Sequence, residues 1–203
     1  MLLNAKIDPS IKIRKIEELI SIPKKITVNN FNEKAAFDFQ KEFEEANATE
    51  QEIIPIIIDS YGGTCYALLS MIDTLKSSKK KIATIVIGKA MSCGSFLLAC
   101  GDEGLRFAAP NSTIMVHDVS TSMVGKTEEI KSGAVEAERL SNLLFSMMAK
   151  NCAKDDKYFF NLLDEHKHAD IYLTPEQAKK HNIINHIRVP EFSVEIQSKI
   201  KFF

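Results

Sequence analysis

The 203-residue chain balances 26 Lys and Arg against 27 Asp and Glu, a formal net charge of −1, and 45% of it is hydrophobic. Nothing in that balance offers a basic stripe for nucleic acid, and with eight Gly and six Pro the chain is neither fibrous nor low-complexity. The length fits one domain over residues 1–203, with 1–23 as an N-terminal segment and 189–203 as a C-terminal tail.

In chain order, Lys12 to Ile22 is modestly amphipathic, and Ile26 to Val28 is a short β-branched strand. Asn29 and Asn30 then turn the chain into a helix over Asn32 to Ala46, where Ala35, Ala36, Phe39 and Phe43 recur at helical spacing. Ile53 to Asp59 is almost wholly apolar, as a strand of a parallel sheet covered on both faces would be, and it ends at Gly62-Gly63. Thr64 to Lys76 is helical, Lys80 to Ile87 is a second buried strand closed by Gly88, and a short helix carries Phe96 to Ala99. Arg106 to Pro110 and Thr113 to His117 are two short strands about the turn Pro110-Asn111-Ser112.

A long helix runs from about Lys126 to Ala153, opened by Glu128 and Glu129. Its Leu143, Phe145, Met147 and Met148 predict an apolar surface that a neighbouring subunit would cover, the alternative being a core helix within one subunit. A short helix over Tyr158 to Leu163, a helix capped by Thr174 with Pro175 at its first position, and a terminal strand over Ile183 to Val189 complete the order. Alternating strands and helices predict an α/β domain with a largely parallel sheet.

Cys65, Cys93, Cys100 and Cys152 form no Cys-x-x-Cys and have no closely spaced metal-ligand partners, which predicts reduced thiols, no metal and no cofactor. The first residues meet charge too early for a signal peptide, and the longest apolar runs are strand-sized, so the expected setting is cytoplasmic and not membrane-bound.

Chemistry is expected where strands give way to helices. Two such junctions carry glycine: Asp59-Ser60-Tyr61-Gly62-Gly63-Thr64 and Gly88-Lys89-Ala90-Met91-Ser92-Cys93-Gly94-Ser95. Gly62 and Gly63 are either a tight turn or a loop whose N–H groups receive an oxyanion, and Ser92 is either a helix N-cap or a nucleophile. His166 and His168 read as a solvated loop more readily than as a metal pair, and His181 and His186 as structural or surface residues.

The segment from Ile56 to His117 resembles the proteolytic subunit of the Clp protease, and the likeness extends over roughly residues 24 to 188. That family has Ser-Pro-Gly-Gly at the end of a strand and its nucleophile in Ala-Ser-Met-Gly-Ala-Phe-Leu-Leu. Here Ser60-Tyr61-Gly62-Gly63 and Met91-Ser92-Cys93-Gly94-Ser95-Phe96-Leu97-Leu98 match them, with Ser92 29 positions after Gly63. Arg106-Phe107, Pro110-Asn111-Ser112 and Met115-Val116-His117 are similar to the family's next run, and Asp170-Ile171-Tyr172-Leu173-Thr174 to its Asp-x-aromatic-apolar-Ser/Thr stretch.

The resemblance implies a crotonase-like α/β fold with helices on both faces of the sheet and a protruding handle helix. It implies a serine endopeptidase with Ser92 as nucleophile, His117 as base and Asp170 behind it, and with the N–H groups of Gly63 and Cys93 as oxyanion hole. Gly62, Ser120, Thr121, Ser122, Met123 and Val124 would line an extended peptide beside a strand. The implied partners are a peptide or unfolded protein, further copies in a heptamer or two stacked heptamers, and a Clp-type unfoldase ATPase.

The chain departs from the family at Tyr61, where Pro is usual, and over Asp118 to Gly125, where Gln-Pro and glycines are usual. It departs also at Ala169 and Ile171 beside Asp170, where Arg is common, and in residues 1–11, which show no axial-pore loop. A catalytically silent ring subunit or scaffold is the alternative outside enzymes. Inside them the alternatives are a phage head-maturation-type protease, a signal-peptide-peptidase-like Ser/Lys protease and an acyl-CoA hydratase relative. His117 and Asp170 argue against the Ser/Lys type, and Ser92 against the hydratase.

Overall fold

The two most apolar runs of the chain become the two central strands of its sheet. A computed structural model describes residues 23–192. In it β2 (Ile53–Ser60) and β3 (Lys81–Met91) pair in parallel, from Ile53 opposite Lys81 to Ile58 opposite Val86. β1 (Ile26–Val28) adds to β2, while β4 (Arg106–Ala108) and then β7 (His186–Ile187) extend the other side of β3, all parallel. β5 (Thr113–Val116) pairs in parallel with β3, and β6 (Ile171–Leu173) lies antiparallel to β5. The described helices are α1 (Glu33–Asn47), α2 (Cys65–Lys76), α3 (Cys93–Ala99), α4 (Thr127–Asn151), α5 (Tyr158–Glu165) and α6 (Pro175–Lys180). The expected α/β fold with a mostly parallel sheet is therefore the fold of the chain.

Successive strand residues point to opposite faces, and both faces take apolar side chains here. Ile54, Ile56, Ile58, Val86 and Ala90 join the main core with Leu68, Met71, Leu97, Phe145 and Phe159 of the helices. Ala83, Ile85 and Phe107, with Ile53 and Ile57 against them, form a smaller cluster.

Three boundaries differ from the sequence reading for identifiable reasons. Asn32 caps α1 instead of starting it, its Oδ1 accepting from the Ala35 N–H at 2.8 Å. Gly88 does not close its strand: at φ 88° it sits where the β2–β3 register shifts between Ile58 and Ser60, and β3 continues to Met91. The expected terminal strand shrinks to His186–Ile187, while β6 is a three-residue strand too short to leave a period in the sequence. The amphipathic stretch Lys12 to Ile22 and most of the C-terminal tail lie outside the described residues.

α4 corrects a further expectation. Phe145 and Met148, expected to need a neighbour, are fully buried within this chain, and the Phe145 ring packs edge-on against Phe96 with centroids 5.1 Å apart. The second half of α4 is thus a core helix because α3 and α5 already cover it, Phe160 of α5 lying 5.3 Å from the same ring. The first half stands largely exposed, with Val135 67% accessible. It is tied to α2 where the Tyr66 hydroxyl and Arg139 both donate to Glu136, which holds that carboxyl down at about 2, Arg139 acting most strongly.

Arg106 is the one charged side chain fully enclosed among the described residues, at 1% exposure. Its Nη1 donates to the carbonyls of Asn151 at 2.5 Å and Ala99 at 3.5 Å, the last residues of α4 and α3. A guanidinium there meets the negative ends of two helix dipoles and satisfies carbonyls that have no helical partner. Arg106→Met, which keeps the volume but leaves those carbonyls unpaired, is expected to cost about 3 kcal/mol in urea unfolding. A cost under about 0.5 kcal/mol would show that the buried charge adds nothing to the fold.

Candidate active site

β3 exchanges neighbours part-way along: Thr84 to Val86 pair with β4, and Lys89 to Met91 pair with β5. The bulge at Gly88 separates the two halves. The register opposes Met91 to Met115, so the strand end at Ser92 lies level with the end of β5, and the Ser92 N–H donates to the Met115 carbonyl at 3.0 Å. Antiparallel pairing of Val116 with Ile171 then places the residue after β5, His117, beside the residue before β6, Asp170. Three strand ends thereby bring Ser92, His117 and Asp170 together.

Ser92 occupies the N-cap position of α3, yet its side chain makes no cap bond. Its Oγ lies 2.8 Å from His117 Nε2 instead. The backbone at Ser92 has φ 53° and ψ −122°, a conformation that costs a non-glycine residue about 1–3 kcal/mol and turns the side chain out of the helix toward the histidine. The ordinary N-cap role is therefore not the one the hydroxyl fills. His117 Nδ1 faces Asp170 Oδ1 at 3.6 Å, an ion-pair separation longer than a hydrogen bond. Asp170 is half exposed and the His117 side chain mostly covered.

Gly62 and Gly63 approach closely from the end of β2. Both have positive φ, 108° and 154°; a Cβ on Gly62 would fall 2.7 Å from Ser92 Cβ, and one on Gly63 would fall 2.2 Å from the Phe31 carbonyl oxygen. Only glycine fits either position. The loop is held from outside by Phe31, which bridges Gly63 and accepts from the Thr64 N–H at 2.7 Å. Cys93 is buried, as its place at the head of α3 suggested, and its Sγ donates to the Gly63 carbonyl at 3.3 Å. Its backbone N–H is among the helix-terminal donors that α3 itself leaves without an acceptor.

Ser120, Thr121, Ser122, Met123 and Val124 are exposed and belong to no strand, so the peptide-flanking strand expected there is an irregular segment. Met123 folds back onto Gly133 of α4, whose missing side chain makes room for its thioether. Among the described residues no group of three or more His, Cys, Asp and Glu side chains is arranged to hold a metal ion. No described helix is long and apolar enough to cross a membrane.

The sequence reading missed two contributors. Phe31 anchors the glycine loop through its backbone, which leaves no sequence signal. His168, read as a solvated loop residue, links Asp118 beside His117 to Asp164 of α5, its Nδ1 and Nε2 at 2.6 and 3.1 Å from their carboxylates. It reaches them from two successive left-handed residues, Lys167 and His168, that turn the chain from α5 toward Asp170. The hydrogen bond to Asp118, then the Asp118 charge, and more weakly Asp164, raise the His168 pKa. A raised pKa adds stability that is complete below the unfolded-state value of about 6.5 and fades as pH rises through the folded-state value. Wild type should therefore exceed His168→Ala in melting temperature by more near about pH 5.5 than near about pH 9, read by thermal scans. An equal difference at both would show that the pair does not couple to the fold.

With this geometry in place, one comparison with known proteins bears on what it is for: the family model described as Clp protease matches residues 17–191. The match takes in the glycine loop, the serine turn, the histidine strand and the aspartate strand together, and the fold agrees with it. The chain belongs to the Clp protease family, a family of peptidases.

Proposed function

We propose that the chain is a serine endopeptidase in which Ser92 is the nucleophile, His117 the general base and Asp170 the residue that orients His117. The observation that carries this reading is the 2.8 Å contact of Ser92 Oγ with His117 Nε2, made by a serine that forgoes its helix cap and holds a strained backbone to make it. With the imidazole proton on Nδ1, toward Asp170, Nε2 accepts the Ser92 hydroxyl proton as Oγ adds to the peptide carbonyl. The oxyanion is received by the N–H groups of Gly63 and Cys93, one such donor being worth roughly 3 kcal/mol of barrier. Collapse sends the proton from Nε2 to the departing amine and leaves an acyl-enzyme; water, deprotonated by the same nitrogen, releases the acid.

The substrate in this reading is an extended peptide or unfolded chain crossing Gly62 and the exposed Ser120 to Val124 segment, where Tyr61 takes the place of the family's proline. Tyr61 is exposed, with Lys89 Nζ 4.3 Å above its ring and held there by Asp59, so it supplies an apolar wall with a cationic edge. The exposed first half of α4 supports assembly into the family's ring, heptameric or doubly stacked, since Ile130 and Val135 expose apolar area there. A Clp-type unfoldase ATPase belongs to the family's implications; the N-terminal segment where its pore loop would be sought lies outside the described residues.

Hydrolysis of unstructured casein and fluorophosphonate labelling read by intact mass test the reading. Wild type should take one label and cleave; Ser92→Ala should do neither while keeping its light-scattering mass. Asp170→Asn should label about a thousandfold more slowly, because the wrong imidazole tautomer is then favoured. A well-folded wild type that neither labels nor cleaves would favour the silent-subunit alternative, for which the 3.6 Å His117–Asp170 separation is the one supporting observation.

A further inference from the structure

Gly133 is the one glycine of α4, and among residues 127–135 of the exposed first half it alone is half-covered. A glycine inside a helix weakens it, so an exposed helix gains nothing from one unless something needs the space. Here the occupant is Met123: a Cβ at position 133 would overlap its Sδ and Cε. Met123 belongs to the stretch between His117 and α4 that forms no helix or strand. Its neighbour Val124 is fully exposed, so within residues 120–125 the flexible thioether is the apolar group by which the stretch sits on the helix.

Polar contacts fix the two ends of the same stretch. The Val119 N–H donates to Ser141 Oγ at 3.0 Å, and the Lys126 N–H, at the N-cap of α4, donates to Glu129 Oε2 at 3.0 Å. Val119 is therefore level with Ser141 and Lys126 with the helix start, about 22 Å apart along the axis. Extended chain from Val119 to Lys126 reaches only about 23–25 Å, so the stretch runs almost taut and antiparallel to α4. Met123 meets Gly133 where that course requires, since the extended path from Val119 and the helical path from Ser141 both cover about 12–14 Å. The helix beneath is itself held, Glu136 accepting from the Tyr66 hydroxyl of α2 at 2.8 Å. Among the described residues no backbone–backbone hydrogen bond involves 120–125, which leaves peptide groups there for a second extended chain to pair with.

We propose that Met123, seated in the notch at Gly133, is a positioning residue that holds the stretch after His117 flat along α4 and so presets the edge a peptide substrate lies against. This deepens the peptidase reading and rests on it. Without the seat only the two ends are held, and the middle of the stretch must be fixed by the incoming peptide. That ordering cost falls on substrate binding and not on the step at Ser92, because Ser92 and His117 keep their own contacts.

The test combines a methyl contact with kinetics on the full chain. In protein labelled at the methionine methyl carbons, a nuclear Overhauser contact should join the Met123 methyl to the Hα of residue 133 and vanish in Gly133→Ala. That substitution favours the helix, so the variant should melt no lower than wild type and keep its rate of fluorophosphonate labelling. Its KM for fluorescein-labelled casein should rise about fivefold or more at unchanged kcat. Met123→Ala should raise KM as much, and the double variant should raise it no further. Met123→Leu, which keeps an apolar side chain of similar volume for the notch, should stay within about twofold of wild type. A missing methyl contact in wild type, or a KM of Gly133→Ala within about twofold of wild type, would overturn the proposal. So would a fall in labelling that matches the rise in KM, which would put the effect on Ser92. If wild type neither labels nor cleaves, the peptidase reading falls and takes the substrate role with it, and the methyl contact alone still decides whether Met123 is seated.

Discussion

Backbone pairing at the end of β3 is the constraint on which the site depends. β5 pairs in parallel with β3 and antiparallel with β6, so the ends of three segments spread over residues 92 to 170 must arrive at one level. Ladder hydrogen bonds fix that arrangement before any side chain contributes, and a register slip of one residue in β5 would turn His117 to the other face. What allows β3 to serve both β4 and β5 is the bulge at Gly88, a position whose φ of 88° few residues but glycine tolerate.

Around that frame the molecule holds Ser92 in tension. Ser92 is strained, uncapped and pinned through its own N–H to Met115, while Gly62 lies so near that a side chain there would collide with its Cβ, and Ser95 donates to its carbonyl at 2.8 Å. Packing behind α3 supports this, since residues Cys93 to Ala99 are all buried and Arg106 ties the end of the helix to the end of α4. The free energy that orders Ser92 comes from the core beneath it, the usual way a rigid scaffold carries a strained site. By contrast the aspartate side is open: Asp170 is half exposed and 3.6 Å from its partner, with a turn of left-handed residues and the His168 ion pairs holding its segment. In the proposed triad the 2.8 Å serine–histidine contact is already formed, and the histidine–aspartate pair has room to tighten on substrate binding.

The sequence was most informative where burial makes a pattern continuous or chemistry makes it rigid. The runs Ile53 to Ile58 and Ile82 to Ile87 could only be inner strands, and the glycine pair, the Ser92 turn and the residues around His117 and Asp170 stood in recognisable order. It was least informative where an element is short or depends on distant partners. β6 has three residues, and its strand character comes from β5, 55 positions away at the Val116–Ile171 pair. Gly88 looked like a strand end because glycine marks ends and bulges alike, and only the neighbour strands separate the two. The apolar side chains of α4 gave no sign of whether their cover came from this chain or another, and Phe96 and Phe160 supply it for Phe145. Phe31, Arg106 and His168 act through contacts at long sequence separation, which composition and periodicity do not register.

The central claim is that Ser92 and His117 act as one nucleophile–base unit. A peptidyl chloromethyl ketone tests it most directly, since it forms a hemiketal with an active serine and then alkylates the histidine nitrogen facing that serine, which displaces chloride. Peptide mapping of the treated protein should find a single alkylation, on His117 Nε2, that disappears in Ser92→Ala. Alkylation elsewhere, or on His117 to the same extent without Ser92, would contradict the account.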